Sequence, residues 1–378
     1  MSFKPSEIKL EKDHKLKIII ISGLCIAVLI LFYFFITSEG KNETISENSK
    51  PDQLSKEEIS QKVDSIAFTF GIKKEWIKDI SNKKENNSGD KLLITKEIHI
   101  PNDLPSIQLN LEYSNYFRDR NFKEKITEDP KTKNVIMELY TANVNDAIGK
   151  LSGILKFIYD DSLKRKVSEV CIVLDSIDFY PLDNVSGILN STEEFSLFLP
   201  LRNDKSDYQS KILGSERDYL LRFFIGDEKD ITSDFKSDMK ADVWKAKIRS
   251  ASINYQNSGG IFLTGKTQIK EFENEIKKEF LKNNITVYSD TLLSGFQKSE
   301  QTVNSLFSDI ITQSNSGKTF LLYSVNLSPE EFKYYDSQLF KLKKLGYKFF
   351  NFTDIMKKIN NNIYNLTQKD SIKTKKSL

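Results

Sequence analysis

The stretch Cys171–Gly187, CIVLDSIDFYPLDNVSG, is an apolar, β-branched run that stops at an aspartate and breaks into polar residues and a proline. A short apolar run bounded by turn residues is the pattern of a strand buried on both faces. It carries Asp175 to the strand's C-terminal mouth. The same rhythm recurs downstream in EFSLFLPL, DYLLRFFI, IRSASIN, NITVYSD, KTFLLYS and YKFFNF. With EVCIVLD these are seven candidate strands separated by helical stretches, which predicts a parallel α/β architecture over residues 165–357.

Two helices in this half read clearly. TQIKEFENEIKKEFLKNN places Ile269, Phe272, Ile276 and Phe280 along one helical face, a core stripe. SPEEFKYYDSQLFKLKKLGYKFF has Ser328 as cap, Pro329 at the first helical position, Glu331 completing a capping box, and Gly346 as terminator. Phe332, Tyr335, Leu339, Leu342 and Leu345 form its expected buried stripe. Residues 358–378 read as a polar, basic, frayed tail.

Upstream, residues 55–160 read as a small α+β domain. LSKEEISQKVDSIAFTFGI is a helix with Ser55 and Glu58 at capping-box spacing. LLITKEIHIP, IQLNLEY and NVIMELYT read as strands, and NVNDAIGKLSGILKFIYD as a helix. Residues 38–54 are polar and without periodicity, a tether. Ile18–Thr37 is an uncharged run of about 20 residues, enough to cross a bilayer. Lys4, Lys9, Lys12, Lys15 and Lys17 precede it and only Lys41 follows closely, so the expected topology is single-pass with residues 1–17 cytoplasmic. The long run and the lack of a small-residue cleavage motif favour an uncleaved anchor over a signal peptide.

Composition narrows the function. Fifty-six Lys and Arg against 53 Asp and Glu leave a net charge of +3, too balanced to attract nucleic acid. Of the two cysteines, Cys25 lies in the apolar run and Cys171 in a strand, so the expected exterior portion has one thiol and no internal disulfide.

In order rather than singly, the C-terminal motifs resemble the divergent polysaccharide deacetylases, relatives of the NodB-type carbohydrate esterases. IVLDS at Ile172–Ser176 is similar to the family's opening Asp-Asp strand, and FSLFLP at Phe195–Pro200 to its Leu-Pro strand. DYLLRFFI is similar to the third strand, and SINYQNSGG falls where a histidine-bearing loop would lie. ITVYSDTLLSG looks like the Asp-Ser strand and KTFLLYSVN like the last. The resemblance implies a distorted seven-stranded β/α barrel. It further implies a metal held by one Asp and two His, with a second Asp as base, activating water against an acetyl carbonyl.

The chain departs from that pattern. Its two histidines are His14, before the apolar run, and His99, in the small domain. Ser176 replaces the second Asp, Tyr255 stands at a histidine position after Asn254, and Ser324 stands at another. No cofactor is therefore expected. Asp175 reads as a ligand contact or as a cap of the next turn, and Asp290 carries the same two readings. Asn254 and Tyr255 read as a sugar-contacting loop or a solvated one. Candidate binding residues are Asp175, Ser176, Asn254, Tyr255, Asp290 and Ser324; the candidates for catalysis are Asp175 and Asp290. Trp76 and Trp244 read as core more readily than as sugar platforms. The expectation is an anchored cell-envelope protein that binds carbohydrate or scaffolds envelope proteins. An active deacetylase or hydrolase with a rearranged carboxylate site and a purely structural interaction protein stand as alternatives.

Overall fold

Alternating burial along short runs produces two separate sheets in the computed structural model, which describes residues 55–80, 92–142, 148–165, 167–265, 269–296 and 302–362. The expected anchor, the 38–54 tether and most of the expected tail lie outside those residues. Among the described residues no helix is long and apolar enough to cross a membrane.

The first sheet contains β1 (Ile77–Asp79), β2 (Ile94–Ile100), β3 (Phe122–Glu128), β4 (Val135–Ala142) and β5 (Ile148–Tyr159), in the order β1-β2-β5-β4-β3. β2 and β5 run parallel, and the other pairs are antiparallel. Helices α1 (Lys56–Thr69) and α2 (Ser106–Arg118) lie on one face. There Tyr113 packs at 5.5 Å on Phe157 with the rings tilted by 33°, and donates its hydroxyl to the Val63 carbonyl. The α1 capping box is present, with Ser55 and Glu58 exchanging backbone bonds.

Two expected elements are reversed. IQLNLEY is helical because Leu109, Tyr113, Tyr116 and Phe117 are buried at helical spacing, while Ile107 and Leu111, which suggested alternation, face solvent. The GKLSGILKFIY run is strand β5: Gly153, Leu155 and Phe157 alternate inward, and a side chain at Gly153 would collide with Ile94 and Leu139. Two glycines in a helix would each cost about 1 kcal/mol.

The second sheet is parallel throughout. Its strands are β6 (Glu169–Leu174), β7 (Ser196–Phe198), β8 (Tyr219–Gly226), β9 (Phe235–Lys236), β10 (Ile261–Gly265), β11 (Val287–Ser289), β12 (Ser294–Phe296), β13 (Phe320–Val325) and β14 (Lys348–Phe349). The main path is β11-β10-β8-β7-β6-β13-β12; β9 attaches to β8 and β14 to β6. Chain order therefore runs round the sheet, as in a β/α barrel, with the break falling between β11 and β12. The sheet is a curled half-barrel. Helices α3 (Leu182–Leu189), α4 (Ser206–Gly214), α5 (Ala241–Asn254), α6 (Lys270–Lys282), α7 (Thr302–Asn315) and α8 (Pro329–Leu345) cover its outside. α8 has the full capping box, and Gly346 terminates it at φ 107°. IRSASIN belongs to α5, not to a strand, because Trp244, Ile248 and Ala251 are buried at helical spacing. The strand expected there is IFLTG (β10), which starts thirteen residues after Ile248.

Strand parity assigns the two faces. Ile172, Leu174, Leu221, Phe223, Ile261 and Leu263 point outward into the helix layer. Cys171, Val173, Phe198, Leu220, Phe262 and Leu322 point inward. Residues 352–362 are helical, which extends order into the expected tail. This helix inserts Phe352, Ile355 and Met356 among the inward residues. Asp218, just before β8, accepts from the Phe352 and Thr353 amides at its start, and Ser196, the first residue of β7, donates to the same carboxylate. The N-terminal end of the half-barrel is thereby plugged.

From Ile59 onward the described residues form one compact unit. Arg165, whose side chain is 6% exposed, ties the sheets: it bonds the Asp103 carboxylate and the carbonyls of Phe70 and Lys344.

Candidate functional site at the mouth of the half-barrel

With one end plugged, polar inward residues collect at the C-terminal ends of the strands, the face on which β/α barrels carry function. Asp175 follows β6 directly. Its Oδ2 receives the Arg222 guanidinium from β8 and lies 3.5 Å from the Ser324 hydroxyl of β13, and its Oδ1 is 3.2 Å from the Ser176 hydroxyl. The Arg222 guanidinium carbon sits 3.7 Å from the centre of the Phe198 ring, a cation–π contact. The pair is 21% and 26% exposed, so a ligand can reach it.

Ser176 holds a left-handed backbone conformation, φ 58° and ψ 30°. For a residue with a side chain this costs on the order of 1–3 kcal/mol. The turn carries the chain into the short helix 177–179 and leaves Phe179 70% exposed. On β8, Phe224 lies two residues past Arg222, on the same inward parity, and is 45% exposed. Beyond them, Lys205 joins the two neighbouring loops by donating to the Asp178 carbonyl at 2.7 Å, with the Asp178 carboxylate 3.8 Å away.

Three polar atoms at this end are buried and lack a hydrogen-bond partner among the described residues: Arg222 Nε, Thr264 Oγ1 and Asp290 Oδ1. Registration places all three at this end. Phe224 pairs with Thr264, and Leu263 pairs with Ser289, so Thr264 and Asp290 each follow the last residues that pair β10 with β11. Asp290 does not cap its short helix; Ser289 does, accepting from the Thr291 amide. Neither does Asp175 cap a turn. Native folds leave few buried polar groups unpaired, and such groups mark places where a ligand or water completes the bonding.

Of the residues singled out from sequence, Asp175, Ser176 and Ser324 are bonded together here, and Asp290 occupies the same end. Asn254 and Tyr255 do not join them. They end α5, which returns antiparallel to the strands, and the turn after them bonds Gly259 to Tyr219 at the start of β8. That is the opposite end of the half-barrel, where Asn254 is exposed and Tyr255 packs on the outer core. Arg222, Thr264, Phe179 and Phe224 are additions from the structure. Only Arg222 carried a legible signal, a lone charge inside the apolar run DYLLRFFI. Trp76 and Trp244 are buried core residues. His99 lies on β2 with Nδ1 3.8 Å from Asp160, remote in the chain from this site.

The residues at the mouth do not fit the Asp-His-His metal set. Neither histidine lies in residues 169–349, and the Asp175 carboxylate is committed to a guanidinium. A cleft of about 410 Å³ does open elsewhere, between Asn102, Asp103 and Asp161 on one side and Glu169 and Lys348 on the other. Its central cation, Arg165, is consumed by the structural bonds described above.

No family model matches the chain, and no curated protein matches it. Among solved structures it is similar to the uncharacterized protein ATU2773 from Agrobacterium tumefaciens C58, at 8% identity and a TM-score of 0.35, over 50% of this chain and 89% of that one. It is also similar to the Cid1 poly (U) polymerase in its MgGTP-bound form, at 11% identity and a TM-score of 0.18, over 30% of this chain and 34% of that one. Neither score is high enough to establish a shared fold.

Proposed function

We propose that the chain is a membrane-anchored, extracytoplasmic protein with a divergent polysaccharide deacetylase-like barrel that binds cell-envelope glycan at the barrel mouth without hydrolysing it. The observation that carries this reading is the guanidinium of Arg222 on Asp175. In the family that Asp175's strand resembles, the aspartate holds a metal. Here a fixed side-chain cation takes that place and neutralises the carboxylate. An arginine attracts and orients oxygen atoms, but it offers no open coordination position at which to acidify water. The same pairing removes Asp175 as a free base, which weighs against a rearranged carboxylate mechanism.

What remains suits recognition. Phe224, paired with Thr264, and Phe179, on the turn after Asp175, are exposed aromatic rings at this end, of the kind that lie against the apolar faces of sugars. The strand order round the sheet and the position of the Asp175 strand within it support the family reading. The uncharged run Ile18–Thr37 supports the anchor. The test is a binding screen of the purified chain against envelope polysaccharides, paired with an acetate-release assay on acetylated glycans. Saturable binding that weakens about tenfold, or about 1.4 kcal/mol, in Phe179→Ala or Phe224→Ala is expected, with no acetate released. Turnover of an acetylated glycan would overturn the proposal.

A further inference from the structure

We infer that the mouth takes neutral, hydroxyl-bearing sugar units and turns away anionic ones, with one hydroxyl accepting from Arg222 Nη2 and its neighbour donating to Asp175. The inference rests on the glycan-binding reading above and names the ligand class. It comes from what the fold leaves open on the Arg222 head. Phe198 covers one face of the guanidinium, whose carbon lies 3.7 Å from the ring centre, and Nη1 faces Asp175. Nε is buried. That leaves Nη2, which makes no bond among the described residues, as the edge a ligand can meet, and both side chains of the pair are partly exposed. Asp175 Oδ2 takes Arg222 and, at 3.5 Å, the Ser324 hydroxyl, whereas Oδ1 holds the Ser176 hydroxyl at 3.2 Å. A carboxylate oxygen accepts about two hydrogen bonds, so Oδ1 keeps room for another donor.

A donor edge beside an acceptor with room to spare is matched by a ligand that both accepts and donates. Hydroxyls on neighbouring carbons do so without taking a charge out of water. A carboxylate or phosphate only accepts. It would meet a guanidinium that Asp175 already neutralises and would sit close to the Asp175 charge, so repulsion offsets most of the attraction while the cost of desolvating the anion remains. Lys205, the cation that joins the neighbouring loops, is likewise committed to Asp178. Phe224 follows Arg222 by two residues on β8 and points to the same side, about 6.6 Å further along the strand. That spacing is close to the span of one sugar ring. A unit whose hydroxyl edge meets Arg222 and Asp175 therefore brings its apolar face, or that of the next unit, against the exposed Phe224 ring.

The experiment compares three β-1,4-linked hexamers by calorimetry on the full chain in detergent at neutral pH: glucose and N-acetylglucosamine, both neutral, and glucuronate, the glucose polymer with each C6 oxidised to a carboxylate. At least one neutral hexamer is expected to bind about tenfold or more tighter than the glucuronate. Asp175→Asn leaves Arg222 an unpaired cation at the same edge, so in that variant the glucuronate hexamer should gain about tenfold while the neutral hexamers change little. A preference for the neutral hexamers that is absent or well below tenfold in the wild-type protein overturns the inference and leaves glycan binding in place. So does a folded Asp175→Asn protein in which glucuronate gains nothing. Failure of all three hexamers to bind overturns glycan recognition at this mouth and the inference with it. The wild-type comparison decides even where the variant does not fold.

Discussion

Replacing Arg222 with methionine keeps most of the side chain's length and removes its charge. At a charge separation of about 4 Å and an effective dielectric of about 20, the attraction between Arg222 and Asp175 is about 4 kcal/mol. Desolvation of two groups that stay 21% and 26% exposed offsets much of it. The net coupling should fall at about 1–2 kcal/mol, above the ~0–1 of an exposed pair and below the ~3–5 lost when one partner of a fully buried pair is deleted. Loss of the contact over Phe198 adds about 0.5–1 kcal/mol. Arg222→Met should therefore destabilise the chain by about 2 kcal/mol, with the unpaired Asp175 carboxylate as the main cause. A double-mutant cycle with Asp175→Asn isolates the coupling. Urea unfolding, read from the buried Trp76 and Trp244, supplies all four corners. A coupling below about 0.3 kcal/mol, within the additivity expected of independent sites, would show that the guanidinium does not hold Asp175 in solution, and the argument for a substituted metal position would fall with it.

Three further outcomes test the frame around the site. Ser328→Ala should cost about 1 kcal/mol by removing the α8 capping box, measurable as a shift in the urea midpoint at constant slope. Asp218→Ala should cost about 2–3 kcal/mol, because it removes the carboxylate at the start of helix 352–362 and leaves the Thr353 amide and the Thr353 and Ser196 hydroxyls short of their acceptor, while the Phe352 amide keeps the Ser196 oxygen; amide hydrogen exchange in that helix should accelerate before exchange in β6. Burial pushes the Cys171 thiol well above its ordinary range, with the nearby Asp218 charge adding to the effect. In a Cys25→Ser background Cys171 should therefore resist a disulfide reagent at mildly alkaline pH until the chain is unfolded, and rapid labelling of the native protein would contradict its placement inside the half-barrel.

Local chemistry made some elements plain. The α8 helix was legible because its start and stop are written in residues that act within one turn: Ser328, Pro329, Glu331 and Gly346. The strand ending at Asp175 was legible because four β-branched or apolar residues meet a turn-forming sequence. Where a segment satisfied two periodicities, one-dimensional pattern failed. IQLNLEY alternates like a strand, but its helical stripe is completed by Tyr116 and Phe117 beyond the stretch that alternates. IRSASIN looked extended until Trp244, upstream of it, completed a helical face with Ile248 and Ala251.

The site divides along the same line. Sequence alone determined that two metal-binding histidines are absent from the C-terminal half and that Asp175 stands at a strand mouth, since both follow from residue identity and short-range pattern. It did not determine which polar residues share an end of the half-barrel. Asn254 and Asp290 each end a candidate strand, yet the direction in which α5 returns sends one to the plugged end and leaves the other at the open one. Only the tertiary structure brought Arg222 across 47 positions to Asp175, because a parallel sheet places side by side strands that the chain separates by whole helices, and strand parity then decides which side chains meet.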